Sequence, residues 1–353
     1  MVATGDLVEP ARLREFLAGH LDTEPDAFDV ERHDQGFSNE TLFVEYGDTD
    51  LVVRRPPPGE TADTAHDVLR EFEVVDALQD TDVPVPRTVA ASEDTDIMGC
   101  PFYVMERLPG DVLRFSEPDR FANPDARRRI GEEMVDTLAA IHTVDHEAVG
   151  LGDFGRPKGF TERQVERWTD QIEWAFEETE AEREVPELRR IGDWLDDNAP
   201  ETHEHTLVHG DYKLDNVIFG PADEPELTGV LDWEMSTLGD PLCDLGWLLF
   251  FWLESSDSLP TIMQTVAPVF LTNDDYPSRR DLVDRYEQQT GIEVTNQRFY
   301  RVLAVYKMAA LGEMFYARYL MGNSDSTFYA MMEDGVPALA EQGVAIIEGD
   351  QPL

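Results

Sequence analysis

Residues Leu207 to Asn216 read L-V-H-G-D-Y-K-L-D-N, and residues Gly229 to Glu234 read G-V-L-D-W-E. These two stretches decide how the chain is read. Each contains an apolar, strand-like run that delivers polar side chains at a loop. The first loop supplies Asp211, Lys213 and Asn216; the second supplies Asp232, sixteen residues after Asn216. That set suits phosphoryl transfer. Asp211 is placed to take the proton of an attacking hydroxyl, and Lys213 to neutralise a moving phosphate. Asn216 and Asp232 offer the hard oxygen ligands that Mg²⁺ prefers. An H-G-D triplet alone carries little information. H-G-D-x-x-x-x-N with a strand-borne Asp downstream is specific, because its spacing must fit two loops facing one metal.

The two stretches resemble the catalytic loops of the aminoglycoside phosphotransferase and choline kinase family, relatives of the protein kinases. H-G-D stands where protein kinases carry H-R-D, and Asp232 stands where they carry the Asp of D-F-G. The longer run Gly229 to Leu248, G-V-L-D-W-E-M-S-T-L-G-D-P-L-C-D-L-G-W-L, is similar to one branch of that family. That branch includes the kinase-like domain fused to some acyl-CoA dehydrogenases. The resemblance implies an α+β, bilobal protein-kinase-like fold. Residues 1–107 would form a small N-terminal lobe, a five-stranded antiparallel sheet with one helix, and residues 108–353 a larger, mostly helical lobe carrying the catalytic and metal-binding loops. It also implies ATP as donor, Mg²⁺ as cofactor and a small-molecule hydroxyl as acceptor. A hydroxy acid or hydroxyacyl compound is weakly favoured over an amino-sugar or a choline-like alcohol.

The same resemblance assigns the nucleotide contacts. Gln35 to Glu40 is similar to the family's phosphate-covering turn. There Gly36 lets backbone approach the phosphates, and Ser38 and Asn39 offer donors. The third expected strand, L-V-V-R-R-P, has Arg54 where kinases usually carry a phosphate-holding Lys, with Glu71 as the matching helix acid. Arg grips phosphate through two N–H groups but is bulkier than Lys. Strand alternation allows only one of Arg54 and Arg55 to face the cleft. Phe102 to Leu108 matches the inter-lobe hinge. Met105 would pack beside the adenine, with the Glu106 carbonyl and the Leu108 amide at its edge.

Other polar residues read as framework. His209 is expected to hold the loop through its ring hydrogen bonds. Asp240 and Asp244, at the start of an apolar helix, are expected to cap that helix and brace the catalytic loop. Asp215 is a second capping candidate. Trp233, Glu234 and the aromatic stretch Tyr306 to Tyr319 are read as either acceptor pocket or core. His142, His203 and His205 lack zinc spacing.

Apolar periodicity places strands at 28–32, 41–46, 50–55, 88–92 and 102–106. Helices are expected at 7–20, 64–78, 125–142, 160–182, 187–198, 240–253, 260–270, 279–290, 296–320 and 326–346. A small sheet should carry the catalytic loops. Apolar residues make up 41% of the 353, enough for a substantial core.

The formal charge is −46, from 74 acidic and 28 basic residues, and only Lys158, Lys213 and Lys307 are lysines. Nucleic acid is disfavoured as a partner, since phosphate contacts need basic patches. The acidity has two readings: a local field that attracts cationic substrates, or a halophilic cytoplasm that imposes acid everywhere. The acids are spread over nearly every segment, which favours the second and a haloarchaeal source. The N-terminal M-V-A-T-G-D has neither a basic nor an apolar leader region, and no run approaches the length of a membrane span. A cytoplasmic location without membrane association is therefore expected. Cys100 and Cys243 read as reduced thiols rather than a disulfide.

Overall fold

Strand alternation divides the N-terminal residues between two faces of a sheet. The computed structural model describes residues 7–22, 25–33, 39–57, 68–201, 205–257, 267–324 and 326–351. Its first sheet comprises β1 (Phe28–His33), β2 (Glu40–Tyr46), β3 (Thr49–Arg55), β4 (Thr88–Ser92) and β5 (Phe102–Glu106). All pairings are antiparallel, in the order β1-β2-β3-β5-β4. Leu42, Val44, Leu51, Val53, Phe102 and Val104 share one face and pack on Leu13 and Leu17 of α1 (Pro10–Ala18). Val52, Tyr103 and Met105 share the other face and pack against Val68, at the start of α2 (Val68–Ala77). A two-sided sheet between two helices explains why β3 and β5 are apolar on both faces. One short helix was not expected: α3 (Thr95–Met98), between β4 and β5. The Asp94 side chain caps it, accepting from the Asp96 amide at 2.9 Å, and Gly99 ends it at φ 77°.

The second lobe is mostly helical. It contains α4 (Pro124–Thr143), α5 (Phe160–Thr179), α6 (Pro186–Asn198), α7 (Pro241–Phe251), α8 (Arg279–Thr290), α9 (Gln297–Leu320), α10 (Thr327–Ala330) and α11 (Met332–Glu348). Local chemistry sets several starts. Asn123 caps α4 ahead of a proline at its first position, and Ser278 with Asp281 forms a reciprocal capping box on α8. The central helix is α9. It buries Phe299, Val302, Val305, Tyr306, Ala309 and Ala310 against α5, α7 and α11, so the active-site helices share one core. One sequence expectation is corrected here. The helix expected over 326–346 is broken at Met331 into α10 and α11. The helix expected over 260–270 lies mostly outside the described residues, and the 3₁₀ turn Val269–Thr272 overlaps its end.

The catalytic loops do not share one small sheet. β6 (Thr206–Val208) pairs with β9 (Thr237–Gly239), while β7 (Val217–Phe219) pairs with β8 (Leu227–Val230). The H-G-D loop leaves β6 and enters β7, so it bridges the two ribbons. Gly110 anchors the crossing between lobes. It has φ 144°, and a side chain there would collide with the Phe219 carbonyl at 2.2 Å. Among the described residues no helix is long and apolar enough to cross a membrane. Cys100 and Cys243 are free thiols, as expected.

Candidate active site

The catalytic loop is held from below by buried groups. Asp244, on α7 and 2% exposed, accepts the backbone amides of His209 at 2.6 Å and Gly210 at 2.8 Å. His142, from α4, adds its ring to the same carboxylate at 3.4 Å and bonds Tyr286 at 2.7 Å through its other nitrogen. Burial opposes the Asp244 charge. The His142 and His209 contacts outweigh it and hold the carboxyl below its ordinary value. Asp240 caps α7 on the Leu242 amide at 2.9 Å and accepts the Tyr300 hydroxyl at 2.8 Å.

His209 is fully buried. Its Nε2 donates to the Leu231 carbonyl at 2.9 Å, and its Nδ1 accepts the Asp211 amide at 3.1 Å. One ring thereby ties the H-G-D loop to the residue before Asp232. Burial lowers its pKa, so the neutral tautomer is the one that fits this bonding. Gly210 has φ 82°, and a Cβ there would sit 2.6 Å from the Met235 carbonyl. Only glycine lets these loops approach so closely.

Three donors converge on the Asp211 carboxylate: Lys213 Nζ, Asn216 Nδ2 at 2.8 Å and Trp247 Nε1 at 2.8 Å. Burial would raise the pKa of Asp211, but the Lys213 and Lys307 ammonium groups outweigh it and hold the value at about 2. Asn216 spends its amide nitrogen on Asp211, which leaves its amide oxygen as an acceptor. Asn216 precedes β7 and Asp232 lies just beyond β8. Val217 faces Val230 across that ribbon, and the Leu231 amide donates to the Asn216 carbonyl at 2.8 Å. The two side chains therefore leave the same end of one ribbon. Asp232 adopts φ 66° and ψ 59°, a left-handed conformation that costs energy in any residue with a side chain and is tolerated best by Asn and Asp.

Arg54 faces this end. It shares the Val52 face of β3, whereas Arg55 shares the Val53 face and bonds the carbonyls of Leu7 and Met98 on the far side of the sheet. Arg54 donates to Asp232 Oδ1 at 2.8 Å, to Thr41 Oγ1 at 3.0 Å and to both Glu71 oxygens at 3.4 Å. Burial works against its charge, but Glu71 and Asp232 outweigh it and keep the guanidinium protonated. Glu71, on α2, is 1% exposed, and its neighbour Glu73 faces solvent. One cation therefore connects the N-lobe helix to the C-lobe loop.

The remaining expected nucleotide contacts distribute as follows. Asn39 is buried and donates to Glu234 Oε2 at 3.4 Å; Gly36 and Ser38 lie outside the described residues. Met105 is buried at the end of β5. The Glu106 and Arg107 amides donate to Arg87 and Asp50 carbonyls at 2.8 and 2.9 Å, and the Leu108 side chain packs over Gly229. Asp215 pairs with Arg114 at 3.2 Å, and burial pushes its carboxyl up. Of the pocket-or-core residues, Trp233 is core: it is 1% exposed and donates to the Val230 carbonyl at 3.1 Å. Tyr306 is also core, bonded to Thr169 at 3.0 Å.

A cavity of about 430 Å³ opens beside Asp211, between α5, α7, α9 and the loop after Asp232. Glu234 lines it, as do two residues that the sequence reading did not single out. Trp247 forms one wall. Lys307, 8% exposed, donates to the Gly210 carbonyl at 2.5 Å and lies 3.8 Å from the centroid of the Trp247 ring. Burial lowers the Lys307 pKa to about 8 despite Asp211 and Asp244. One signal was available in the sequence: Lys307 is one of only three lysines and interrupts an apolar helix.

Among the described residues no group of three or more His, Cys, Asp or Glu could hold a resident metal. One carboxylate and one amide oxygen at one ribbon end would instead suit Mg²⁺ that arrives with phosphate oxygens, whose charge it would neutralise.

The chain is similar to known proteins. The model of the phosphotransferase enzyme family matches residues 29–282. Acyl-CoA dehydrogenase family member 11 of Rattus norvegicus is 35% identical over 342 residues, covering 95% of this chain and 42% of the relative. The chain thus spans about two fifths of the length of that relative. A crystal structure from Ralstonia eutropha, provisionally assigned as an aminoglycoside phosphotransferase, is 30% identical with a TM-score of 0.81, covering 97% of this chain and 99% of that one. Choline kinase from Cryptosporidium parvum shares the fold at 11% identity and a TM-score of 0.66, over 98% of each chain. With this bilobal fold, and with the family model spanning most of the chain, the protein belongs to the phosphotransferase enzyme family.

Proposed function

We propose that this chain is a Mg²⁺-dependent kinase that moves the γ-phosphoryl group of ATP to a hydroxyl of a small molecule. The observation that carries the proposal is the convergence of Lys213, Asn216 and Trp247 on the Asp211 carboxylate, across from Asp232 and Arg54. The acceptor oxygen would attack the γ-phosphorus as the bond to the β-phosphate oxygen breaks, with ADP leaving and the hydroxyl proton passing to Asp211 and on to water. A carboxylate held at about 2 is a weak base, so Asp211 would act mainly by fixing the hydroxyl's direction and accepting its proton late. Lys213 would meet the charge of the transferred group. Asn216 and Asp232 would hold Mg²⁺, which supplies charge neutralisation on the phosphate oxygens when bound. Arg54 would turn from Asp232 toward the phosphates while Glu71 holds its other side.

Similarity to acyl-CoA dehydrogenase family member 11 supports a hydroxy acid or hydroxyacyl acceptor over an amino-sugar. A second reading, a non-catalytic nucleotide-binding homologue acting in an assembly, is favoured by one feature: Arg54 replaces the usual Lys and is engaged by Asp232. An ATP- and GTP-consumption screen over alcohols, sugars and hydroxy acids in molar KCl separates the two. Turnover on some acceptor, lost in Asp211→Asn, is the expected result. Nucleotide binding without turnover on any acceptor would favour the second reading.

A further inference from the structure

The cavity beside Asp211 contradicts the charge of the chain that forms it. Five cations line it: Arg70, Arg156, Arg163, Arg167 and Lys307. The acids on its wall are Glu234 and Asp244, and Asp244 is committed to the His209 and Gly210 amides. In a chain with 74 acidic and 28 basic residues, a cationic concavity does not arise from average composition.

The arginines' partners sharpen the contrast. Elsewhere an arginine commonly takes one or two acids: Arg127 pairs with Glu117 and Asp275, and Arg189 with Glu173 and Glu180. In the cavity, Arg163 folds back on the Gly159 carbonyl at 2.9 Å, and Arg70 reaches the Phe154 carbonyl while lying 3.5 Å from that ring's centroid. Arg156 and Arg167 make no side-chain hydrogen bond or ion pair with the described residues. Arg167 is exposed, and Glu234 is the carboxylate that favours its charge. The Arg167 guanidinium lies 5.0 Å from the centroid of the Trp168 ring, and among the described residues neither it nor Arg156 has a carboxylate within ion-pair distance. Two such forks beside a buried ammonium suit a planar or tetrahedral oxyanion.

Position ties that site to the reaction. Trp247 and Lys307 line the cavity and also bond Asp211 and the Gly210 carbonyl. The volume suits a small organic molecule. We infer that this chamber binds an anionic group of the phosphoryl acceptor, a carboxylate or a phosphate, through Arg156 and Arg167, and so selects against cationic alcohols. The inference rests on the phosphotransferase reading of Asp211.

The test uses the full chain at constant KCl concentration, with and without Mg-ADP, and follows the fluorescence of Trp168 and Trp247. Four probes are titrated: 3-hydroxybutyrate for the carboxylate source, glycerol 3-phosphate for the phosphate source, neutral 1,3-butanediol and cationic choline. One oxyanion arm should bind at least about tenfold more tightly than the diol, and Arg156→Ala with Arg167→Ala should remove that preference. Both side chains are exposed, so the double variant should keep its melting temperature. Arg156→Glu with Arg167→Glu should turn the preference toward choline. Equal binding of all four probes, no oxyanion binding, or an undiminished oxyanion preference in the alanine double variant overturns the inference. Turnover of neutral or cationic alcohols without oxyanion preference would sink the inference alone. Oxyanion binding that needs both arginines, with no ATP consumed on any acceptor, would sink the phosphotransferase reading alone.

Discussion

Arg54→Ala should damage stability and nucleotide use by separable routes. Arg54 contacts both oxygens of Glu71, a carboxylate that is only 1% exposed. Removing the cation leaves that carboxylate buried without its main counter-charge, at a cost of about 3–5 kcal/mol. That is a large fraction of the roughly 5–15 kcal/mol that typically holds a domain together. Glu71 can escape part of the cost by taking a proton. Burial already pushes its pKa up, with Arg54 pulling it back, so in the variant the folded-state value stands well above the unfolded one. A raised carboxyl contributes stability below its unfolded pKa and loses it as pH rises through the folded pKa. The deficit of Arg54→Ala against the parent should therefore widen from mildly acidic to mildly alkaline pH, read by thermal melts in molar KCl. Adding Glu71→Gln removes the stranded charge and should restore most of the stability. It should not restore function: kcat/KM for Mg-ATP should stay down by roughly a hundredfold or more, the scale of losing one preorganised charge-stabilising group. Arg54→Lys should keep part of the activity, since the charge survives and the fork does not. Arg55→Ala is the control on the opposite face, costing stability through the uncovered Leu7 and Met98 carbonyls while sparing kcat/KM. Near-parental turnover by Arg54→Ala with Glu71→Gln would falsify a phosphate-holding role for Arg54.

Asp232→Asn should abolish Mg-ATP turnover with little change in melting temperature, because Asn tolerates the φ of 66° as well as Asp does; retained activity on an identified acceptor would refute the metal assignment. Lys307→Met tests the buried ammonium through linkage. A lysine depressed from 10.5 to about 8 makes the folded state bind fewer protons than the unfolded state between those values, so the parent should gain stability relative to Lys307→Met as pH rises across that window, by on the order of 3 kcal/mol. A constant difference between the two melts would mean that Lys307 is not depressed. Melting temperature should climb steeply from low to molar KCl as the −46 charge is screened, and a flat profile would remove the halophile reading of the composition.

How much of this was legible in the sequence depended on the range of each interaction. Strand positions in the N-lobe lay within a residue of expectation, because apolar alternation is local and β2 and β3 turn on each other directly. The framework roles of His209, Asp240 and Asp244 were also readable, since a polar residue beside an apolar run must find a partner. Which of Arg54 and Arg55 faces the cleft required the observed pairing, because both faces of β3 are apolar and alternation alone gives no sign. The arginine chamber was not readable. Arg70, Arg156, Arg167 and Lys307 come from α2, the loop before α5, α5 itself and α9, and none marks itself in its own segment. Trp247 fell in an apolar run that reads as a core helix, and Lys307 fell in the stretch Tyr306 to Tyr319 that was left as either acceptor pocket or core, because both helices are apolar on nearly every side. Only the packing of α5, α7 and α9 shows that one edge of that core is the floor of a cavity.

The chamber also changes what the acidity means. A cationic substrate was one possible reason for so acidic a chain, yet the cavity beside Asp211 is lined by five cations. The two fields act over different distances. At about 0.1 M salt the Debye length is about 10 Å, so a −46 surface would repel ATP and any anionic acceptor before either reached the cleft. At about 1 M it falls to about 3 Å, and the surface charge is largely screened from an approaching anion. Contacts inside hydrogen-bond distance survive that screening, and the partly buried Lys307 and Lys213 are screened less than exposed groups. An acidic exterior and a basic interior site are thus compatible in concentrated salt, and on the proposed reading the interior site would govern selection. The same chain in dilute buffer would oppose its own substrates. If the salt-dependence and probe-binding tests come out as expected, the composition would report the solvent, and the cations beside Asp211 would report the chemistry.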